Sequence, residues 1–309
     1  MATHLEDKGS RTADRRREPS PAERVPRARA GGVTEWSAAT WLHWILRVGI
    51  LLEFVGHGAF GIIGKGGWLA YFNIFGISDD WGWKLMPVIG AIDITIGVVT
   101  LVRPMRAVLA YATLWATFTA VLRPLAGQGV WEEVFERGGN FGLPLALLLL
   151  VGLGTPTLRS WFESARPRAL NPDLARQLSW LLRVMVALLL IGHGTFGLSH
   201  LHDQEWTSYF GVLGIGPSTI LSAHLIPLVG WFEIALGVAV LIKPYRGLLF
   251  FILGWKLLTE FLRIPAGEPA FEFIERAGDY ALPLGLIVVE TWRRAHRPVP
   301  AAAAASQRA

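Results

Sequence analysis

The sequence is built from apolar runs of about 17–24 residues, the length at which an α-helix crosses the hydrocarbon core of a bilayer. In lipid every backbone polar group must be satisfied within the segment or within a closed barrel, so such runs leave little choice but helices. Two of them, Trp41 to Ile63 and Leu85 to Val102, and two slightly shorter runs, Ala107 to Leu122 and Asn140 to Gly154, form a series that then repeats.

The repeat is legible residue by residue. His57-Gly58-Ala59-Phe60-Gly61 returns as His193-Gly194-Thr195-Phe196-Gly197, 136 residues later. Trp44 and Arg47 match Trp180 and Arg183, and Tyr71-Phe72 matches Tyr209-Phe210. Pro87, Gly90 and Gly97 match Pro227, Gly230 and Gly237, while Trp115, Thr119 and Arg123 match Trp255, Thr259 and Arg263. Glu136-Arg137 matches Glu275-Arg276, Asn140 matches Asp279, and Leu143-Pro144-Leu145 matches Leu282-Pro283-Leu284. So many matches in order predict an internal duplication. The expected fold is an all-α integral membrane protein of eight spans, arranged as two parallel four-helix transmembrane bundles.

Four spans per repeat is an even number, so both repeats face the same way. The basic residues agree: Arg103 and Arg106, the linker with Arg159, Arg166, Arg168 and Arg176, Lys243 and Arg246, and Arg293-Arg294 all fall on one side. The positive-inside rule makes that side cytoplasmic, with both termini there, in a multi-pass protein of the cell membrane. The opposite loops carry Asp79, Asp80, Glu132, Asp203, Glu205 and Glu268. A re-entrant fourth span would move the Arg-rich linker outside, against that rule. The expected divisions are a basic disordered tail over 1–38, a first repeat over 39–156, a linker over 157–176, a second repeat over 177–295 and a loose tail over 296–309. The N-terminal stretch lacks the apolar core of a signal peptide.

Hydrophobic residues make up 52% of the 309, and cysteine is absent. That excludes disulfides, thiolate metal sites and CxxC redox relays, so a redox role would need a bound cofactor or quinone. The net charge of +5 sits mainly in the tails and linker and bears on topology. No motif for nucleic acid is present.

Ionisable residues inside apolar runs are costly and normally face a partner or a site. His57 lies about six residues, or roughly 9 Å, from the outer end of its span, and His193 mirrors it. Asp93 and Glu233 occupy equivalent places near mid-bilayer. The repeats also differ. Glu53, four residues before His57, would accept its N–H, whereas the second repeat has Leu189 there. Lys256 and Glu260 stand where the first repeat has Ala116 and Ala120. With Asn140 and Asp279 these are the candidate ligand-binding or proton-relay residues; no metal set is assigned. Each has a plain reading too: a histidine bonded to a neighbouring helix, an acid paired with Lys256 or an arginine, glycines that let helices approach. Arg47 and Arg183 would snorkel to headgroups, and Trp68, Trp81, Trp83 and Trp131 would anchor at the interface.

Two stretches resemble the DoxX/DoxD family of small four-span membrane proteins. One runs from Leu46-Arg47 through the apolar run to His57-Gly58 and Gly61. The other is Pro227 to Gly237, with Gly230 and Glu233. The two copies together cover about residues 41–294, although the lysine that often follows His-Gly in that family is replaced here by Gly61 and Gly197. The resemblance implies a four-helix bundle per repeat and an association with quinone-coupled redox systems.

The expectation is therefore a quinone-interacting or accessory subunit of a membrane redox system, in contact with lipid and a redox partner subunit. Transport of a small solute or ion between the repeats is the alternative, and assembly without chemistry a third. Whether the protein is an enzyme is left open. A b-type haem held by His57 and His193 is also conceivable chemically, but His43 and His224 are not mirrored and lie near span ends, so few further ligands are at hand.

Overall fold

The computed structural model describes residues 37–127, 129–154, 157–199 and 203–296. The N-terminal tail over residues 1–36 and the end of the chain over 297–309 lie outside them. The described residues are helical, with no strand among them. The first series is α1 (Ala38–Ile63), α2 (Leu69–Asn73), α3 (Asp79–Val102), α4 (Arg106–Leu125), α5 (Glu132–Glu136) and α6 (Gly138–Val151). The short α7 (Leu158–Phe162) leads to α8 (Pro172–Ser199), α9 (Asp203–Val212), α10 (Pro217–Ser222), α11 (Leu225–Ile242), α12 (Arg246–Phe261), α13 (Ala270–Glu275) and α14 (Ala277–Ala295). Five of these helices, α1, α3, α4, α8 and α11, are long and apolar enough to cross a membrane.

Local chemistry sets the ends. Ser37 caps α1 by accepting from the Thr40 amide at 3.2 Å, and Gly64 ends the helix with φ 81°, a conformation glycine adopts without steric cost. Asp79 and Asp80 occupy the first turn of α3, where the helix dipole favours negative charge. The helix therefore begins six residues before the apolar run at Leu85, and the connection from Gly64 to Lys84 is largely helical. The linker is also shorter than expected, because α8 already starts at Pro172.

One continuous core joins both series. Leu42, Leu46 and Ile50 of α1, Leu143 and Leu147 of α6, Leu178, Leu182 and Leu190 of α8, and Leu282 and Leu286 of α14 are all buried within it. These four helices form the centre. Helices α3 and α4 flank it beside α1 and α6, while α11 and α12 flank it beside α8 and α14. The flanks show apolar surface outward, with Val88, Ile92, Leu114, Leu228 and Trp231 exposed. Such surface on a helix otherwise packed inward suits contact with lipid chains.

The glycines around each histidine set how closely the helices approach. A Cβ on Gly90 of α3 would stand 2.5 Å from the Gly58 carbonyl oxygen, and one on Gly230 of α11 would stand 2.5 Å from that of Gly194. Gly56 meets the backbone of Glu275 and Gly192 meets the backbone of Glu136, so α1 packs on α13 and α8 packs on α5. At the seam, Gly139 and Gly278 touch across α6 and α14.

Gly90→Ala should lower the thermal midpoint in detergent, by the equivalent of about 1–3 kcal/mol, because backbone atoms cannot yield to the new methyl. Gly247→Ala, with open space around it, should be neutral or up to about 1 kcal/mol stabilising. Equal midpoints for the two variants would contradict this packing.

Candidate functional site

Four mirrored side chains meet at the seam. Arg276 pairs with Glu136, and Arg137 lies 3.6 Å from Glu275, so each arginine reaches the acid of the other series. Arg137 also approaches its neighbour Glu136, at 3.7 Å. The histidines flank this quartet. His57 Nε2 lies 3.1 Å from Glu275 Oε1, 3.2 Å from Arg137 Nη1 and 3.0 Å from Asn140 Nδ2. His193 Nε2 lies 3.4 Å from Glu136, 3.6 Å from Asp279 and 4.0 Å from Glu260.

The four were not among the residues chosen from sequence as site candidates. A signal for them existed, an acid–arginine dipeptide at the same place in both series, but it sat in loops outside the apolar runs. Two close glycine contacts bring these dipeptides under the histidines, at Gly56 and Gly192.

Partners differ from those the sequence suggested. Glu53 does not receive the His57 N–H; its carboxylate instead approaches Gly278, where a Cβ would lie 3.0 Å from Oε2. The i, i+4 spacing put both residues on one face, yet the His57 ring turns outward from its own helix toward α13 and the start of α6. Asp93 and Glu233 each accept an indole N–H, from Trp115 at 2.8 Å and Trp255 at 2.9 Å. Arg47 does not snorkel. It is buried, donates to the Thr100 carbonyl at 3.2 Å and lies over the Trp44 ring. Arg183 pairs with Glu290 at 3.3 Å. Trp81, Trp83 and Trp131 are exposed, but Trp68 stacks on His57 at 6.1 Å between ring centroids.

The two series then diverge in kind. In the second, Lys256 is fully buried, 2.8 Å from Glu260, 2.9 Å from Asp279 and 4.0 Å from Glu233. A lone ammonium at such a position would be costly; three carboxylates around it offset that. His193, Glu260 and Asp279 hold donor atoms within 4.8 Å of one another, a spacing that would suit a metal, but the Lys256 ammonium already supplies the positive charge there. In the first series Ala116 and Ala120 replace this lysine and acid, and Asn140 replaces Asp279.

The small residues leave room. A cavity of about 320 Å³ runs between α1, α2, α3 and α4. Trp68, Tyr71, Phe72, Phe75, Trp115 and Phe118 supply aromatic wall. His57, Asn140, Arg137, Glu53 and Asp93 supply its polar groups. Val88 and Phe118 on its rim are exposed on the apolar flank. A second cavity of about 260 Å³ lies at the seam and is charged, with Lys65, Glu136, His193, Lys256, Glu272, Glu275 and Arg276 among its walls. Arg123 and Arg137 border both cavities.

Charges at the seam are firmly held outside the spans. Burial pushes the Glu275 carboxyl up, but facing His57, Arg276 and Arg137 outweigh burial and hold it at about 2. Glu136 is likewise held well below the ordinary carboxylate range, burial being overcome by Arg276 and Arg137.

Both carboxyls thus have a folded pKa below the unfolded value of 4.5, and their contribution to stability is present above that value and lost as pH falls toward about 2. The thermal midpoint should therefore fall with pH across that window, and Glu275→Gln should flatten part of the slope. A midpoint independent of pH there would contradict the paired quartet. Comparison with protein-family models, with curated proteins and with solved structures finds no match to this chain.

Proposed function

We propose that this is a membrane protein of eight spans, two DoxX/DoxD-like repeats fused side by side, that binds a quinone-type ligand in the apolar cavity of the first repeat. The observation that carries the reading is the cavity itself: about 320 Å³, walled by aromatic rings, with His57, Arg137 and Asn140 gathered at one place. Aromatic walls suit a flat ring, and Arg137 and Asn140 are N–H donors that its carbonyl oxygens require. The exposed rim at Val88 and Phe118 offers an apolar tail a way to the lipid.

The other three spans would be α6, α12 and α14. Helix α6, with 14 residues, is about 21 Å long and buried at the centre, where neighbours rather than lipid cover its ends. In α12 the charges of Lys256 and Glu260 are mutually paired, which lowers the cost of crossing. The arginine-rich turns and both termini would face the cytoplasm. The matching environments of Asp93 and Glu233, and of the close glycine pairs, support the duplication. The second repeat would then be the structural partner, its corresponding space given to the Lys256 ion pairs. Haem suits the site less well, because His57 Nε2 already has three partners within 3.2 Å. The ligand reading also leaves room for a redox partner subunit to supply electrons.

A second reading, passage of a small ion or solute along the seam, draws on the charged cavity between the repeats. Its cationic and anionic walls are largely paired with each other, which favours the ligand reading.

A short-chain ubiquinone analogue should bind purified protein in nanodiscs, with intrinsic tryptophan fluorescence reporting through Trp68 and Trp115. Ala116→Trp, which fills the cavity, should abolish binding, and His57→Ala should weaken it by about tenfold. His193→Ala should leave the affinity within about twofold, since that residue borders only the charged cavity. No binding by the wild type, or equal binding by Ala116→Trp, would overturn the reading.

A further inference from the structure

The geometry points to a proton path in which Glu275 and His57 connect the charged cavity at the seam to the apolar cavity of the first repeat. The path itself stands on the two cavities; that it serves a bound ligand rests on the reading above.

His57 borders the apolar cavity and Glu275 the charged one, and their side chains meet at 3.1 Å between Nε2 and Oε1. Two arginines, Arg123 and Arg137, border both spaces. Arginine keeps its proton throughout the accessible pH range. The histidine–carboxylate contact is therefore the place where a proton would cross.

The charged cavity is suited to water. Arg137 Nε, Glu275 Oε2, His193 Nε2 and Arg276 Nε are buried atoms without a hydrogen bond, and all four residues border it. Buried polar atoms are satisfied by water where the space is polar and large enough. At roughly 30 Å³ per molecule in the liquid, this volume would take several waters. The cavity also reaches the surface, because Lys65 on its wall is exposed and Glu272 is half-buried. Glu272 stands one helical turn before Glu275. Burial and the neighbouring Glu275 charge hold its carboxyl above the ordinary range.

His57 Nε2 has a partner in either protonation state. Without a proton it accepts from Arg137 Nη1 at 3.2 Å and Asn140 Nδ2 at 3.0 Å; with one it donates to Glu275 Oε1. Nε2 itself therefore has a partner in both states, which lowers the penalty for changing between them. The other charged groups around it are Lys65 beyond the end of its helix and Arg276 beside Glu275, while Glu53 on its own helix lines the same cavity. Glu275 carries the proton only in transit, since Arg276 and Arg137 hold it as a carboxylate. His193 is different: its contacts at 3.4, 3.6 and 4.0 Å are all carboxylate oxygens, acceptors only. The replacement of Asp279 by Asn140 in the first repeat thus provides the second, donating set.

The test is nitrogen NMR of ¹⁵N-histidine-labelled protein in nanodiscs, with the His57 signal assigned from His57→Gln. In the wild type the His57 Nε2 proton should exchange with water. Glu275→Gln should slow that exchange by about tenfold or more, and Glu275→Asp by less. Glu163→Gln, at an exposed pair just past the end of α7, should change nothing. Equal exchange in Glu275→Gln and wild type would overturn the path. Should Glu275→Gln fail to assemble, the wild type decides alone, because an Nε2 proton that does not exchange with water overturns the path as well. Adding the ubiquinone analogue to the same wild-type sample separates the two readings. A perturbed His57 signal supports both, and absent binding with exchange intact overturns only the ligand.

Discussion

The cost of placing ionisable groups among apolar helices governs this structure. A buried charge without a partner is more expensive than most of the packing around it can offset. The central helices nevertheless carry Glu53, His57, Asn140, His193 and Asp279, and the flanks carry Asp93, Glu233, Lys256 and Glu260. All but Glu53, whose carboxylate lies against Gly278, are met by another polar group, and the decisive meetings are between series. Arg276 reaches Glu136, Arg137 reaches Glu275, and each histidine faces an acid of the other series. Neither series could satisfy its own buried groups alone, so one shared core follows from the electrostatics as much as from the leucines.

Glycine makes these meetings possible. Without a Cβ at Gly56 and Gly192, the backbones of Glu275 and Glu136 come close enough to place their carboxylates beside the histidines. Neighbouring glycines, Gly58 with Gly90 and Gly194 with Gly230, tie α1 to α3 and α8 to α11. Close approach and charge pairing are thus one device. The short helices α5 and α13 would have little reason to sit against the central helices if the acids they carry were removed.

Divergence between equivalent positions separates the two sites more sharply than their common features do. Where the first series has Ala116, Ala120 and Asn140, the second has Lys256, Glu260 and Asp279. A lysine with two acids is a self-consistent addition: the ammonium and carboxylates neutralise one another and occupy the region. Alanines and an amide leave an apolar cavity and a histidine with donors as well as an acceptor. The asymmetry at Glu53 and Leu189 places one further acid on the side that keeps the cavity.

Much of this was legible in the sequence. Apolar run length fixes helices, because lipid-like segments have no other way to satisfy their backbone. The order of matched residues, the His-Gly motifs and the substitution of Lys256 and Glu260 for alanines could all be read directly. Partner choice could not. Spacing along α1 suggested Glu53 for His57, but helical periodicity states which residues share a face and not which way a ring turns when a better partner arrives from elsewhere. That partner, Glu275, lies far along the chain in a segment too short and polar to stand out. Arg47 looked free to reach headgroups until α3 offered a carbonyl, and Trp68 looked like an anchor until the turn at Gly66–Trp68 set it against His57. The sequence by itself determined that the chain is helical and apolar, with ionisable residues inside its apolar runs. Only the tertiary structure decided which charges meet and where space remains, because both depend on contacts between residues that sequence separation does not relate.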